Sequence, residues 1–318
     1  MKSNLKGARI WVPGSRGMLG SALLRRLAAE DCEVVAGTRA QVDLREQGAV
    51  RAVLKDLRPD VVLLCAATVG GIRANMMRPA EFIFDNLAIE QNVVDASHRA
   101  DVHRLVFFGS SCMYPREAEQ PIREEALMTG PLEPTNEAYA FAKLAGLSLV
   151  QSYRRQYGRS YITAIPTNLY GPGDHFRSED SHVVAAMLDR YYLAAQEKRR
   201  ADPIWGSGNA RREFLFIDDA ADAVVHLLKH YDEDAPINVA GGEDLTILQL
   251  AEAVARVAGY EGGVDCDLSK PDGMPKKALD SNRLREIGWT AQTPFEDGIR
   301  LTFEDFLRVV SKDESLRT

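Results

Sequence analysis

The stretch Ala8-Arg-Ile-Trp-Val-Pro-Gly14-Ser-Arg-Gly17-Met-Leu-Gly20-Ser-Ala-Leu-Leu24 decides the fold. Ala8–Val12 reads as a strand, and Met18–Glu30 carries the apolar spacing of an amphipathic helix. The three glycines between them allow a tight turn. They also let a pyrophosphate approach the backbone at the helix N-terminus. The spacing is G-x-x-G-x-x-G, not the G-x-G-x-x-G of most dinucleotide dehydrogenases. Gly14, Ser15, Arg16, Gly17, Met18, Leu19 and Gly20 are candidate cofactor contacts.

The pattern repeats outward from that loop. Val34–Gly37 reads as a strand, Val50–Leu57 as a helix, and Val61–Ala67 as a strand apolar on both faces. Ala80–Ala100 and Tyr139–Tyr157 read as long helices, with strands at Leu105–Phe108 and Tyr161–Pro166. Alternation of this kind predicts an α/β chain with a Rossmann-type doubly wound parallel sheet. Ligands on such sheets sit at the carboxyl ends of the strands.

The second half has a different texture. Gly171–Ser181 is a polar loop, Val183–Arg200 reads as helix, and Ala201–Arg212 as irregular. Strands at Glu213–Ile217 and Ile237–Ala240 flank a helix at Asp219–Tyr231. Leu245–Gly259 reads as a helix opened by a capping box, Thr246 with Gln249. Lys270–Lys277 is a basic loop, and Ser311–Thr318 reads as a frayed end. The 318 residues predict about two domains at roughly 150 residues each. Glu213–Ala240 is expected to rejoin the sheet. The expected division is a nucleotide-binding domain, 1–165 plus 213–240, and a smaller, discontinuous α/β substrate domain, 166–212 plus 241–318.

Lys and Arg total 39 against 46 Asp and Glu, a net charge of −7. That balance argues against nucleic acid or an anionic membrane as partner. The longest apolar run, Val61–Ala67, is too short to span a bilayer. The opening MKSNLKGARIWVPG lacks a secretion signal's apolar stretch. None of the four cysteines lies within four residues of another. The expectation is a cytoplasmic protein with free thiols that behave as small apolar side chains. No metal is expected. His226 and His230 imitate metal spacing but lack a third ligand and read as a helix face, while His98 and His103 flank a surface turn.

NAD binders place an acid near the end of the second strand, about 20 residues past the loop. Here that stretch is Gly37-Thr38-Arg39. Arg16 and Arg39 suit a 2′-phosphate, so the expected cofactor is NADP(H). Asp43 and Leu44 are then placed to line the adenine pocket. Tyr139 and Lys143 share a helix face at i and i+4. An ammonium beside a phenol is expected to lower the tyrosine pKa toward neutrality. Tyr139 then serves a carbonyl/alcohol pair, with Ser110, at the end of its strand, bonding the same oxygen.

With these residues in place, the chain resembles the extended short-chain dehydrogenase/reductase family from about Ile10 to Trp289. The most specific stretches are Ala67–Ile72, Gly109-Ser-Ser-Cys-Met-Tyr-Pro115, Leu132-Glu-Pro-Thr-Asn-Glu137, Pro166-Thr-Asn-Leu-Tyr-Gly-Pro172, Ser181-His182 and Trp205-Gly-Ser-Gly208. Two positions depart: Pro13 precedes the loop, and Gly37 stands where some members carry a further arginine.

The resemblance implies a nucleotide-sugar epimerase-reductase acting on GDP-4-keto-6-deoxy-mannose, with epimerisation at C3 and C5 before hydride transfer to C4. It implies Cys112 as base and His182 as acid. Related dehydratases carry Thr-Asp-Glu where this chain has Ser110-Ser111-Cys112. It places Ala66, Ala67, Asn86, Tyr139, Lys143, Pro166, Asn168, Leu169 and His182 among cofactor contacts. It places Ser111, Asn168, Arg190, Trp205, Arg212 and Asp280 around the nucleotide or sugar. It also implies a homodimer built as a four-helix bundle from Ala80–Ala100 and Tyr139–Tyr157. The alternatives are a related GDP-4-keto sugar (3,6-dideoxy or heptose), a 4-epimerase, a dehydratase, or a non-catalytic NADP-sensing regulator. The retained Tyr139/Lys143 pair argues against the last.

Overall fold

A computed structural model describes residues 5–176, 181–270 and 272–315, with the side chains of 312–315 left aside. In chain order β1 (Arg9–Pro13), α1 (Met18–Leu27), β2 (Glu33–Gly37), α2 (Gln47–Leu57) and β3 (Val61–Leu64) come first. Then follow α3 (Ile72–Met77), α4 (Pro79–Arg99), β4 (Arg104–Phe108), α5 (Glu137–Tyr157), β5 (Ser160–Pro166) and β6 (Asn168–Tyr170). The second half holds α6 (Val183–Gln196), β7 (Ile204–Trp205), β8 (Arg211–Phe216), α7 (Ile217–His230), β9 (Ile237–Val239) and β10 (Glu243–Thr246). Last come α8 (Ile247–Val257), β11 (Cys266–Asp267), β12 (Lys276–Lys277), α9 (Asn282–Glu286) and α10 (Phe295–Ser315).

Six parallel strands form the main sheet in the order β2-β1-β3-β4-β5-β9. Successive strand residues serve opposite layers. Ile10, Leu63 and Val106 pack with residues of α1 and α7. Trp11, Val62, Leu105 and Phe107 pack with residues of α2, α4 and α5. Both faces are covered, which is why β3 and β4 read as unbroken apolar runs. Strand order reverses between β1 and β3, and a crevice opens there at the carboxyl ends. The fold is Rossmann-type, as expected.

A second sheet holds β10, β8 and β12, with β6 paired to β8. Here the structure corrects the expectation for Glu213–Ala240. β9 and α7 join the main sheet and its helical layer, but β8 does not. The edge of β5 is taken by β9, so β8 pairs instead with β6 and β10. The capping box of α8 forms: Thr246 Oγ1 accepts from Gln249 N at 3.0 Å, and Gln249 Oε1 accepts from Thr246 N at 2.9 Å. α6 stops at Gln196, and Lys198 adopts a left-handed φ of 49°. Ser311–Ser315 continue α10. Residues 316–318 of the expected frayed end lie outside the described residues, as do 177–180 of the polar loop and Pro271 of the basic loop. All four cysteines are free and half-buried. His98 stacks on Tyr157 with ring centroids 4.1 Å apart, and half-buried His226 places Nε2 2.8 Å from the Ile287 carbonyl.

Candidate active site

The crevice continues into a cavity of about 1140 Å³ running from the glycine loop to the second sheet. Backbone geometry builds the first end. Gly14 has φ +87°, and a Cβ there would stand 2.5 Å from Ala66 N. A Cβ on Gly20 would collide with the Gly14 carbonyl. Gly17 N donates to Gly14 O at 3.0 Å and starts α1 without a side-chain cap. The helix's first N–H groups are thus left to face the cavity. The Ser15 hydroxyl donates to Gly37 O at 3.0 Å and ties the loop to β2. A Cβ on Gly37 would meet Trp11 Nε1 at 2.7 Å, which explains why no larger side chain stands there.

Arg16 and Arg39 are both exposed at this end, Arg39 3.9 Å from Asp43. Hydrogen bonds from Arg45 push the Asp43 carboxyl down to about 2. Arg45 also reaches Asp85 at 3.2 Å, and Asp85 accepts from Thr68 Oγ1 at 3.1 Å. This chain of contacts joins the turn after β2 to the turn after β3.

Side chains build the other end. Ser110 follows β4; its hydroxyl accepts from Cys112 N at 3.2 Å, and it lines the cavity beside Tyr139. Asn136 Nδ2 donates to Cys112 Sγ at 3.0 Å and orients the thiol. Asn136 precedes the first turn of α5, which presents Tyr139 and Lys143 to the cavity. Lys143 is 3% exposed and forms a 3.0 Å ion pair with Glu90 of α4. The expectation for Tyr139 is therefore corrected. Burial pushes its phenol up, not down, and the Lys143 charge that was to lower it is matched by Glu90. Across the cavity, His182 opens α6, with Nδ1 3.4 Å from Asp174 Oδ1. That hydrogen bond holds His182 above its ordinary value.

Most of the predicted residues meet at this cavity. Gly14, Arg16, Gly17, Met18, Leu19, Gly20, Arg39, Asp43, Leu44, Ala66 and Ala67 line it. So do Ser110, Ser111, Cys112, Tyr139, Lys143, Pro166, Asn168, Leu169, His182 and Trp205. Five do not. Ser15 is turned toward Gly37. Asn86 is fully buried and clamps Thr68, accepting from its N at 3.0 Å and donating to its O at 2.9 Å. Arg212 donates to the carbonyls of Arg211 and Met274, so it ties down the basic loop. Asp280 accepts from Asn282 N at 2.7 Å. Arg190 stands on α6 outside the lining.

Sequence reasoning missed Asn136, Asp174 and Glu90, and it set aside the cavity-lining His175 as unmatched. Asn136 and Asp174 lay inside stretches already singled out, with nothing to mark their partners. Glu90 had a fainter signal, an acid in the buried stripe Phe82-Asn86-Glu90-Val93-Ser97 of α4.

The profile of the NAD dependent epimerase/dehydratase family matches residues 10–240. The chain is 50% identical over 307 residues to a GDP-L-fucose synthase of Sinorhizobium fredii, covering 96% of this chain and 98% of the relative. A GDP-6-OMe-4-keto-L-xylo-heptose reductase of C. jejuni superposes with a TM-score of 0.89 at 31% identity, over 95% of this chain and 98% of that one. A GDP-L-fucose synthetase of Naegleria fowleri, solved bound to NADP, gives 0.88 at 29% identity, over 96% of each chain. The chain belongs to the NAD dependent epimerase/dehydratase family and, within it, to the GDP-L-fucose synthases.

Proposed function

We propose that this chain converts GDP-4-keto-6-deoxy-D-mannose to GDP-L-fucose with NADPH, by epimerisation at C3 and C5 and then reduction at C4. The carrying observation is the single cavity that holds a glycine cradle at one end and Ser110, Cys112, Tyr139 and His182 at the other. The cradle fits a dinucleotide, because Gly14 and Gly20 leave open the space that a Cβ would fill. Arg16 and Arg39 stand where a 2′-phosphate would be met. NADPH, when bound, supplies the hydride for C4.

The protein's own groups do the rest. A proton beside the C4 ketone is acidic because its anion delocalises as an enolate. Cys112 removes that proton, and His182, whose charged form Asp174 favours, returns one from the opposite face. Ser110 and Tyr139 hold the enolate oxygen. In the reduction Tyr139 gives its phenolic proton to O4 as the C4–H bond forms, and solvent then reprotonates the phenolate. Trp205, exposed at the cavity rim with Lys270 5.7 Å over its ring, offers a flat apolar face to the nucleotide.

The substrate portion is assigned to 166–212 plus 241–318, and the reaction to the cytoplasm. Phe84, Leu87 and Phe141 are exposed on α4 and α5, which suits a homodimer closed by a four-helix bundle. The similarity to the heptose reductase favours one second reading, reduction of a GDP-4-keto-heptose. Incubation with NADPH and a panel of GDP-4-keto sugars, with NMR of the products, separates the two. The fucose reading expects GDP-L-fucose from the deoxymannose derivative. NADPH oxidation confined to heptose substrates overturns it.

A further inference from the structure

Glu90 is a carboxylate where a carboxylate is costly. It lies on α4 against α5, 2% exposed, with the Phe107 ring of β4 beside it. Apart from its 3.0 Å ion pair with Lys143, neither carboxylate oxygen has a hydrogen-bond partner among the described residues. Space has been kept for it. Gly146 stands in the middle of α5, where glycine is disfavoured relative to alanine. A Cβ there would come 2.5 Å from Glu90 Oε2 and collide with Phe107.

The pair sits directly behind the reacting phenol. Lys143 Nζ is 5.8 Å from the Tyr139 ring centroid and 4.9 Å from that of Phe107. The titratable groups around it are Tyr139 on α5, Cys65 after β3, and Cys112 beyond Tyr139. Burial keeps Cys65 a neutral thiol. Burial pushes the Glu90 carboxyl up, and the Lys143 nitrogen 3.0 Å away favours its charged form; Glu90 in turn raises the Tyr139 phenol. A ketone reduction needs the phenol loaded with its proton before the hydride arrives. An uncompensated ammonium in this dry seam would strip that proton.

We propose that Glu90 is the counter-charge that holds Lys143 in place and keeps Tyr139 loaded with its proton, which makes it a positioning residue for the reductive direction. The proposal rests on the reductase reading above and extends it to a residue that never touches substrate.

The test is the pH dependence of kcat in both directions for the full-length protein, NADPH-dependent ketone reduction and NADP-dependent oxidation of GDP-L-fucose. In Glu90→Gln the alkaline limb of reduction moves to lower pH by about one unit. The limb that turns on oxidation moves the same way. Glu90→Asp, which draws the carboxylate back by one methylene, shows a smaller shift of the same sign and covers the case where Glu90→Gln does not fold. A uniform fall in kcat with both limbs in place makes Glu90 merely structural and overturns the proposal, as does a wild-type profile in Glu90→Asp when Glu90→Gln is insoluble. Wild-type protein that turns over no GDP-4-keto sugar overturns the reductase reading instead.

Discussion

The two ends of the cavity are built from different materials. At the glycine end the working parts are backbone: the turn at Gly14, the bare N-terminus of α1, and the loop pinned to Gly37. At the reactive end they are side chains, each held by a partner from another element. Asn136 holds Cys112, Glu90 holds Lys143, and Asp174 holds His182. The first end is broken by adding an atom. The second is broken by removing a group or a charge. A backbone cradle binds whatever has the right shape, whereas the reactive end depends on protonation states set by pairs.

The largest effect is expected at the reactive end. Tyr139→Phe should lower kcat for reduction about 1000-fold while NADPH affinity stays near wild type. Stopped-flow NADPH oxidation and fluorescence titration check it, and a comparable loss of both would erase the separation of the two ends. Cys112→Ser should slow solvent exchange of the C3 and C5 protons about 300-fold and spare NADP-dependent oxidation of GDP-L-fucose. Deuterium incorporation followed by NMR decides this, and equal exchange in mutant and wild type would remove Cys112 from the epimerisation. Gly14→Ala inverts the pattern. A Cβ at φ +87° and 2.5 Å from Ala66 N should weaken NADPH binding about 100-fold, and at saturating NADPH kcat should recover.

The smallest effect sharpens the reactive end by pH. Asp174 raises His182 above its usual value, so the imidazolium persists to higher pH than an isolated histidine's would. The stability this pair contributes is present below the ordinary histidine value and is lost as pH rises through the raised one. Asp174→Asn should move the alkaline limb of C3/C5 exchange to lower pH by less than about one unit. The limb of GDP-L-fucose oxidation should stay in place. Movement of both limbs together would mean that His182 and Tyr139 titrate as one.

The residues differ in how legible they were. The glycine loop and Tyr139-Ala-Phe-Ala-Lys143 could be read because each is local, a fixed spacing on one turn or one helix face. The error about the Tyr139 proton came from the same source. Spacing brought Lys143 to Tyr139 but carried no information about Glu90, which is 53 positions away in sequence. Likewise Asn86, Arg212 and Asp280 belong to the neighbourhood of the site but spend their polar atoms on the backbone. A motif match cannot tell a side chain that faces a ligand from one that braces the wall.

The sequence by itself determined the alternation of β1 to β5 with α1, α2, α4 and α5, the cradle at the first turn, the capping box of α8 and the shared helix face of Tyr139 and Lys143. All of these follow from local periodicity and backbone preference. The tertiary structure alone decided that β8 leaves the main sheet, that Asp174 and Asn136 meet His182 and Cys112, and that the buried Glu90 pairs with Lys143. Those outcomes depend on which edges are already filled and on how α4 and α5 are turned toward each other, and on burial, which sets what a charge costs.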